Sequence, residues 1–122
     1  MEAEDQGERQ RQVALQQTLR REVNERRWAD RGEADIVELV CECADPACQE
    51  AVPLSRDEYE FIRRVPIRLI VRPDHVQLDN ERVVIEEPER FAVVEKFGPA
   101  RDVVAHFDPR SPRRTRARPS DP

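Results

Sequence analysis

Residues 39–48 read Leu-Val-Cys-Glu-Cys-Ala-Asp-Pro-Ala-Cys, and this stretch carries the most specific chemical pattern in the chain. It contains all three cysteines of the sequence, Cys41, Cys43 and Cys48, in a C-x-C-x4-C array. Three is an odd number and a C-x-C pair suits a disulfide poorly, so the array indicates metal ligation. Because zinc is the usual occupant of thiolate-rich four-coordinate sites, we predict Zn²⁺ as the cofactor.

A tetrahedral zinc site needs a fourth donor, which the three thiols leave open. The chain has two histidines, and His75 lies in a predicted turn 27 residues beyond Cys48. That interval leaves room for one helix and one strand to fold back, so His75 is preferred over His106, which lies near the end of the predicted structure. Glu42, Asp45 and a water are further alternatives. A water would leave the open position that a catalytic zinc requires.

The composition indicates a small domain with a lean core. The chain has 122 residues, of which 39% are charged and 38% apolar, below the roughly 45–50% apolar content of ordinary globular domains. Such a domain has only marginal folding stability unless a bound metal or a partner stabilises it. The sequence contains no apolar run long enough to cross a membrane, and it opens on acidic, polar residues unlike a secretory signal. We therefore expect a cytoplasmic location, where thiols stay reduced.

The N-terminal part of the chain is predicted to be helical. Residues 1–9 are polar and are predicted to be disordered, whereas residues 10–31 are rich in good helix formers and contain neither glycine nor proline. The apolar stripe of this helix is thin, since only Leu15, Leu19 and Val23 recur every four residues. Such a helix either packs lightly on the domain or offers a narrow seam to a protein partner. A sustained coiled-coil heptad pattern is absent.

Residues 32–107 are predicted to form a zinc-stabilised α+β domain. A β-branched run at 36–41 and a second short run at 51–54 predict a hairpin that is anchored by the zinc site. A short helix and a small antiparallel sheet follow. The strands of that sheet are predicted at residues 67–71, 83–86 and 91–96. Residues 100–107 are predicted to form one more turn of helix or strand.

The short helix has the clearest boundary signal in the chain. Ser55 is a good N-cap, and Glu58 stands three residues later as in a capping box. Phe61, Ile62 and Val65 are predicted to form its buried face.

The C-terminal end differs from the rest of the chain in charge. Residues 110–122 contain five arginines and one aspartate, a net charge of +4, so the total of −5 leaves −9 on residues 1–109. The proline, arginine and serine content predicts a disordered tail over residues 108–122. A basic tail can contact phosphates, which makes nucleic acid a possible partner. The tail lacks the interleaved aromatic residues that stack on single strands.

Several segments together resemble a family of small uncharacterised bacterial proteins, over about residues 20–110. These segments are Arg21–Arg26, Leu39–Cys48, Pro53–Glu60, Pro73-Asp74-His75 and Val93–Gly98. In that family the three cysteines and the turn histidine recur, so the resemblance implies that His75 completes the set of ligands. The usual turn of the family reads Pro-Gly-His, and Asp74 departs from it at the glycine position.

The family has no assigned activity, so the resemblance supports the site and leaves the function open. We predict a zinc-binding protein that acts as an interaction or regulatory module and is not an enzyme. The alternatives are a nucleic-acid-associated regulator that uses the arginine-rich tail and, less favoured, an enzyme with an open zinc site. The three isolated glycines form no phosphate-binding loop, and a Cys-His nucleophile would require the metal to be absent.

Overall fold

A computed structural model describes residues 2–110 and confirms the predicted α+β class. The predicted tail beyond residue 110 lies outside the described residues. The elements are α1 (Glu2–Ala29), β1 (Ile36–Val40), β2 (Ala51–Ser55), α2 (Arg56–Arg63), β3 (Arg68–Val71), β4 (Glu81–Glu87), β5 (Phe91–Lys96), a 3-10 turn (Gly98–Ala100) and α3 (Arg101–His106). Within residues 2–110, no helix combines the length and apolar character needed to cross a bilayer.

The N-terminal helix begins earlier than predicted, so residues 2–9 are helical rather than disordered. The reason is a tertiary contact that the local sequence does not reveal. Gly7 is buried against the turn after β5, and a Cβ at this position would lie 3.4 Å from Cγ of Pro99. Packing of this kind stabilises helical segments whose own propensity is modest. The helix ends at Ala29, and Gly32 follows with a φ of 60°, as expected for a glycine just beyond a helix.

The face of α1 that packs on the domain is mainly polar. Besides Gly7, its buried residues are Ala14, Gln17, Thr18, Arg21, Asn24 and Trp28. The thin apolar stripe lies away from the domain instead, because Leu15, Leu19 and Val23 are 39%, 54% and 42% exposed. The helix therefore docks through hydrogen-bonding side chains, and its apolar stripe is left at the surface.

The predicted hairpin around the cysteines is formed by β1 and β2, which pair antiparallel with Leu39 opposite Val52. The outer edge of β1 is covered by a side chain of α1. Asn24 donates to the carbonyl of Val40 and accepts from its backbone N–H, both at 2.8 Å. A single amide side chain thus satisfies two backbone groups that a neighbouring strand would otherwise have to pair.

The short helix α2 begins at the predicted cap. Both bonds of the capping box between Ser55 and the glutamate three residues later are present. Its buried face differs from the prediction, because Phe61 is 50% exposed whereas Tyr59, Ile62 and Arg63 are buried. Those three positions are spaced i, i+3 and i+4, which is one face of a helix. The prediction is therefore confirmed for Ile62 and wrong for Phe61, and the buried face includes an arginine that we had not placed there.

The second sheet has the strand order β3-β5-β4 and is antiparallel throughout. The central strand β5 is buried from Phe91 to Val94 and provides much of the core. A short hairpin loop joins β4 to β5, and Glu89 adopts a φ of 69° within it. Within residues 2–110 this sheet shares no strand with the β1–β2 hairpin, so other contacts must join the two.

Candidate metal centre

The structure brings together the four predicted ligands, Cys41, Cys43, Cys48 and His75. Their donor atoms all lie within 4.8 Å of one another. Nδ1 of His75 is 3.5 Å from Sγ of Cys41 and 3.6 Å from Sγ of Cys48. Zn–S and Zn–N bonds of about 2.3 and 2.0 Å in a tetrahedron separate sulfur from nitrogen by about 3.5 Å. The distances from Nδ1 of His75 to the sulfurs of Cys41 and Cys48 therefore match those expected for donors that share one tetrahedral ion.

The cysteines are positioned by the hairpin and its turn. Cys41 directly follows β1, and Cys48 precedes β2 after a turn in which its N–H donates to the carbonyl of Asp45 at 3.1 Å. The carboxylate of Asp45 accepts from the N–H of Ala47 at 2.9 Å. This bond from an aspartate to the backbone two residues on is a common way to stabilise a turn. The two antiparallel strands thus hold the two ends of the cysteine loop close together.

The histidine comes from the turn after β3, where its N–H donates to the carbonyl of Arg72 at 2.9 Å. Nδ1 of His75 faces the sulfurs, while Nε2 lies 3.3 Å from Oε2 of Glu50 and 3.6 Å from Oδ1 of Asp74. Metal-bound histidines commonly direct their second nitrogen towards a carboxylate. Nδ1 is therefore the His75 atom that could bind a metal ion, and Asp74 lies beside the ring.

The other donors considered from the sequence lie outside this cluster. His106 is exposed on α3 and contacts the ring of Phe107 edge-on at 4.8 Å. The carboxylate of Asp45 is used in the turn. Glu42 stands between two cysteines, but its side chain is buried in the domain and bonded there. Consequently none of these three residues competes with His75 for the fourth position.

The carboxylate of Glu42 joins the cysteine segment to three elements. It accepts from the backbone N–H of Ile70 in β3 at 2.9 Å, from the Asn24 amide in α1 at 2.7 Å and from the Arg63 guanidinium in α2. The side chains of Glu42 and Arg63 are 0% and 2% exposed. A buried ion pair is tolerated when further hydrogen bonds satisfy both charges, and this arrangement meets that condition for the carboxylate.

The sequence held one signal for this inward carboxylate that our prediction did not use. In extended chain, successive side chains point to opposite faces. Cys41 and Cys43 therefore face the candidate metal site together, and Glu42 between them faces the other way. Its partner Arg63 could not have been identified in this way, because the two residues are 21 positions apart.

A second buried polar network extends from the first. Nζ of Lys96 lies 3.0 Å from Oε2 of Glu81 and 3.2 Å from Oδ1 of Asn80. The Gln17 amide of α1 donates at 3.0 Å both to Glu81 and to the backbone carbonyl of Glu42. Burial lowers the pKa of Lys96, and Glu81 partly opposes this shift. The cysteine segment, α1 and the β3-β5-β4 sheet are thereby joined by polar contacts rather than by apolar packing alone.

Burial also governs the state of the thiols. It raises the pKa of Cys41 and of Cys43. The backbone N–H of Arg72, which donates to Sγ of Cys41 at 3.2 Å, opposes this shift. Without a cation these two thiols are therefore protonated at neutral pH, and a metal ion must displace their protons to bind.

The first residues of the segment that was predicted to be a disordered tail, residues 108–110, are part of the fold. Asp108 is buried, and the guanidinium of Arg110 lies 2.7 Å from Glu25 and 2.8 Å from Glu60. These two residues therefore belong to the folded domain rather than to a disordered tail. The other four arginines lie in residues 111–122, outside the described part of the chain. No contact described in residues 2–110 thus favours the nucleic-acid alternative.

Comparisons with models of protein families, with curated proteins and with solved structures found no match to the chain. The resemblance to the bacterial family therefore stays a prediction. The function has to be argued from the four-residue cluster and its surroundings.

Proposed function

We propose that this protein is a zinc-binding interaction module whose fold depends on a structural site with three cysteines and one histidine. The observation that carries the proposal is the convergence of Cys41, Cys43, Cys48 and His75 donors within 4.8 Å. Three thiolates and an imidazole favour zinc, whereas magnesium and calcium prefer oxygen ligands. A site of this type contributes on the order of 10 kcal/mol of folding free energy in small zinc domains.

The position of the cluster supports a structural role. Cys41 and Cys48 flank the ends of the β1–β2 hairpin, and His75 follows β3 of the separate sheet. One ion bound to these residues would link the hairpin to the separate sheet. Such a link stabilises a domain whose apolar core is small. A catalytic zinc typically has three protein ligands and a water. Four protein donors leave no such position, so we propose a non-enzymatic role.

The surface beside the cluster supports the interaction role. Leu19 and Val23 of α1 line a groove together with Cys43, Ala44 and Pro46 of the cysteine loop. One wall of this apolar groove is therefore the loop that the metal orders. Zinc would shape the surface available to a partner as well as hold the fold.

Native mass spectrometry of the purified chain tests the metal site. We expect one zinc ion in the wild type, none in His75→Ala and one in His106→Ala, a matched control that removes a histidine outside the cluster. Circular dichroism with a chelator separates the two kinds of site: a structural zinc is needed for the folded signal, whereas an open catalytic zinc is not. A metal-free wild type, or equal loss of zinc in both variants, would overturn the proposal.

A further inference from the structure

One face of α1 donates hydrogen bonds to the backbone of β1 and of the cysteine loop, which comprises residues 41–48. Towards the end of the helix, Arg27 donates to the carbonyl of Glu38 at 3.1 Å. Nearer its start, Gln17 donates to the carbonyl of Glu42 at 3.0 Å. The donors stand at positions 17, 20, 24 and 27, whose spacings of three and four residues place them on one side of a helix. The helix α1 therefore supports the loop as well as the strand that leads into it.

Arg20 is the member of this set that contacts the cysteine loop at two separate points. Its Nη1 donates to the carbonyl of Cys41 at 3.0 Å, and its Nη2 donates to the carbonyl of Pro46 at 2.9 Å. The donors of a guanidinium form a rigid planar fork, so the two carbonyls are held at a set separation. Cys43 lies between them in the chain and lines the same groove as the Arg20 side chain.

We propose that Arg20 is a positioning residue for the candidate metal site. It holds the backbone on both sides of Cys43, so that this thiol and the thiol of Cys41 reach one ion together. The inference deepens the proposed function and rests on it. Arg20 is not itself a ligand, because a guanidinium in proteins stays protonated and has no acceptor atom. A loop that is already held in its binding shape loses less conformational entropy when the ion binds.

Arg27 provides a matched control for this role. It is the same residue type on the same face of α1, and it also donates to a backbone carbonyl. That carbonyl belongs to Glu38, which lies in β1 and precedes the first cysteine by three residues. A change that only loosens α1 on the domain acts at both arginines, whereas a change that misplaces the ligands acts at Arg20 alone.

Zinc affinity, measured on the full chain by competition with a chromophoric chelator, tests the inference. We expect Arg20→Gln to raise the Kd for zinc about 10–100-fold, as the loss of contacts that support metal ligands typically does. Arg27→Gln should leave the Kd unchanged. Arg20→Lys keeps the charge but lacks the planar fork, so it should lose affinity as Arg20→Gln does. Full affinity in Arg20→Lys, or equal losses in Arg20→Gln and Arg27→Gln, would overturn the inference.

Alkylation of the zinc-loaded chain, resolved by site with mass spectrometry, shows which ligand is misplaced. Iodoacetamide reacts with accessible thiolates, and Cys43 is only 3% exposed. Arg20→Gln should speed the alkylation of Cys43 more than that of Cys48, whose N–H is bonded to the carbonyl of Asp45. A purely structural effect would speed the alkylation of all three cysteines alike, and that result would contradict the positioning role.

The zinc content of the wild type separates this inference from the proposed function. A wild type without zinc contradicts the proposed function and the inference together. A wild type that binds zinc, with the same Kd as Arg20→Gln, contradicts only the positioning role. Circular dichroism of each zinc-loaded variant checks that the fold is retained, which we expect because Arg20 is only half-buried.

Discussion

The ion pair between Glu42 and Arg63 offers the sharpest test of how this domain is held together. Replacing Glu42 by glutamine keeps the shape of the side chain but removes the charge that Arg63 needs. Because the two side chains are 0% and 2% exposed, water cannot compensate the guanidinium that remains. Removing one partner of a buried pair costs about 3–5 kcal/mol. That is a large share of the roughly 5–15 kcal/mol that stabilises a typical domain.

Urea unfolding at a fixed free zinc concentration measures this cost. The matched control is Glu58→Gln, which breaks a surface pair with Arg90 whose side chains are 31% and 43% exposed. We expect a loss of at most about 1 kcal/mol there. The double variant Glu42→Gln with Arg63→Met should be destabilised by less than the sum of its two single changes, because it leaves no unpaired buried charge.

The zinc affinity of Glu42→Gln gives an independent test of the structural role of Glu42. Glu42 lies between Cys41 and Cys43, two of the proposed ligands, and anchors their segment. The loss of such supporting contacts typically lowers metal affinity about 10–100-fold. The reasoning is refuted if Glu42→Gln costs no more than Glu58→Gln, or if the two single changes add without coupling.

Three further outcomes are expected. Asn24→Ala should cost about 2–3 kcal/mol in urea unfolding, because Asn24 is fully buried and its loss leaves both Val40 backbone groups and one contact of the Glu42 carboxylate unsatisfied. Ser55→Ala should lower the thermal midpoint through a loss of about 1 kcal/mol at the α2 cap, and an unchanged midpoint would contradict the assigned capping box. Zinc affinity should fall as the pH is lowered. Burial raises the pKa of Cys41 and Cys43, so protons compete for both thiols through neutral pH, and each displaced proton contributes about tenfold per pH unit. Titration with a competing chelator at several pH values checks this, and a pH-independent affinity would contradict it.

Features with a local signal were predictable from the sequence. The capping box at Ser55 depends on residues three positions apart, and the β1–β2 hairpin on adjacent runs of strand-forming residues. The cluster of Cys41, Cys43 and Cys48 could be predicted because all three lie in one short loop. The histidine was harder to assign, because the choice between His75 and His106 from residue types and spacing depended on how the intervening helix and strand fold back.

Features that depend on distant partners were not predictable. Phe61 was predicted to be buried but lies at the surface. Arg63 is buried instead, because the carboxylate of Glu42 neutralises its charge. The sequence shows each charge but not its partner, and an unpaired arginine or glutamate belongs in water.

The sequence by itself determined the chemistry of the cysteine loop, the class of the fold and the start of the helix that has a clear capping signal. Each of these follows from side-chain type and short-range periodicity, which act over a few residues. The tertiary structure decided that Glu42 points inward, that Gln17 and Asn24 face the domain and that the apolar stripe of α1 is exposed. The physical reason is that the cost of burying a polar or charged group depends on its partners. Those partners come from other elements, and only the folded chain brings them within bonding distance.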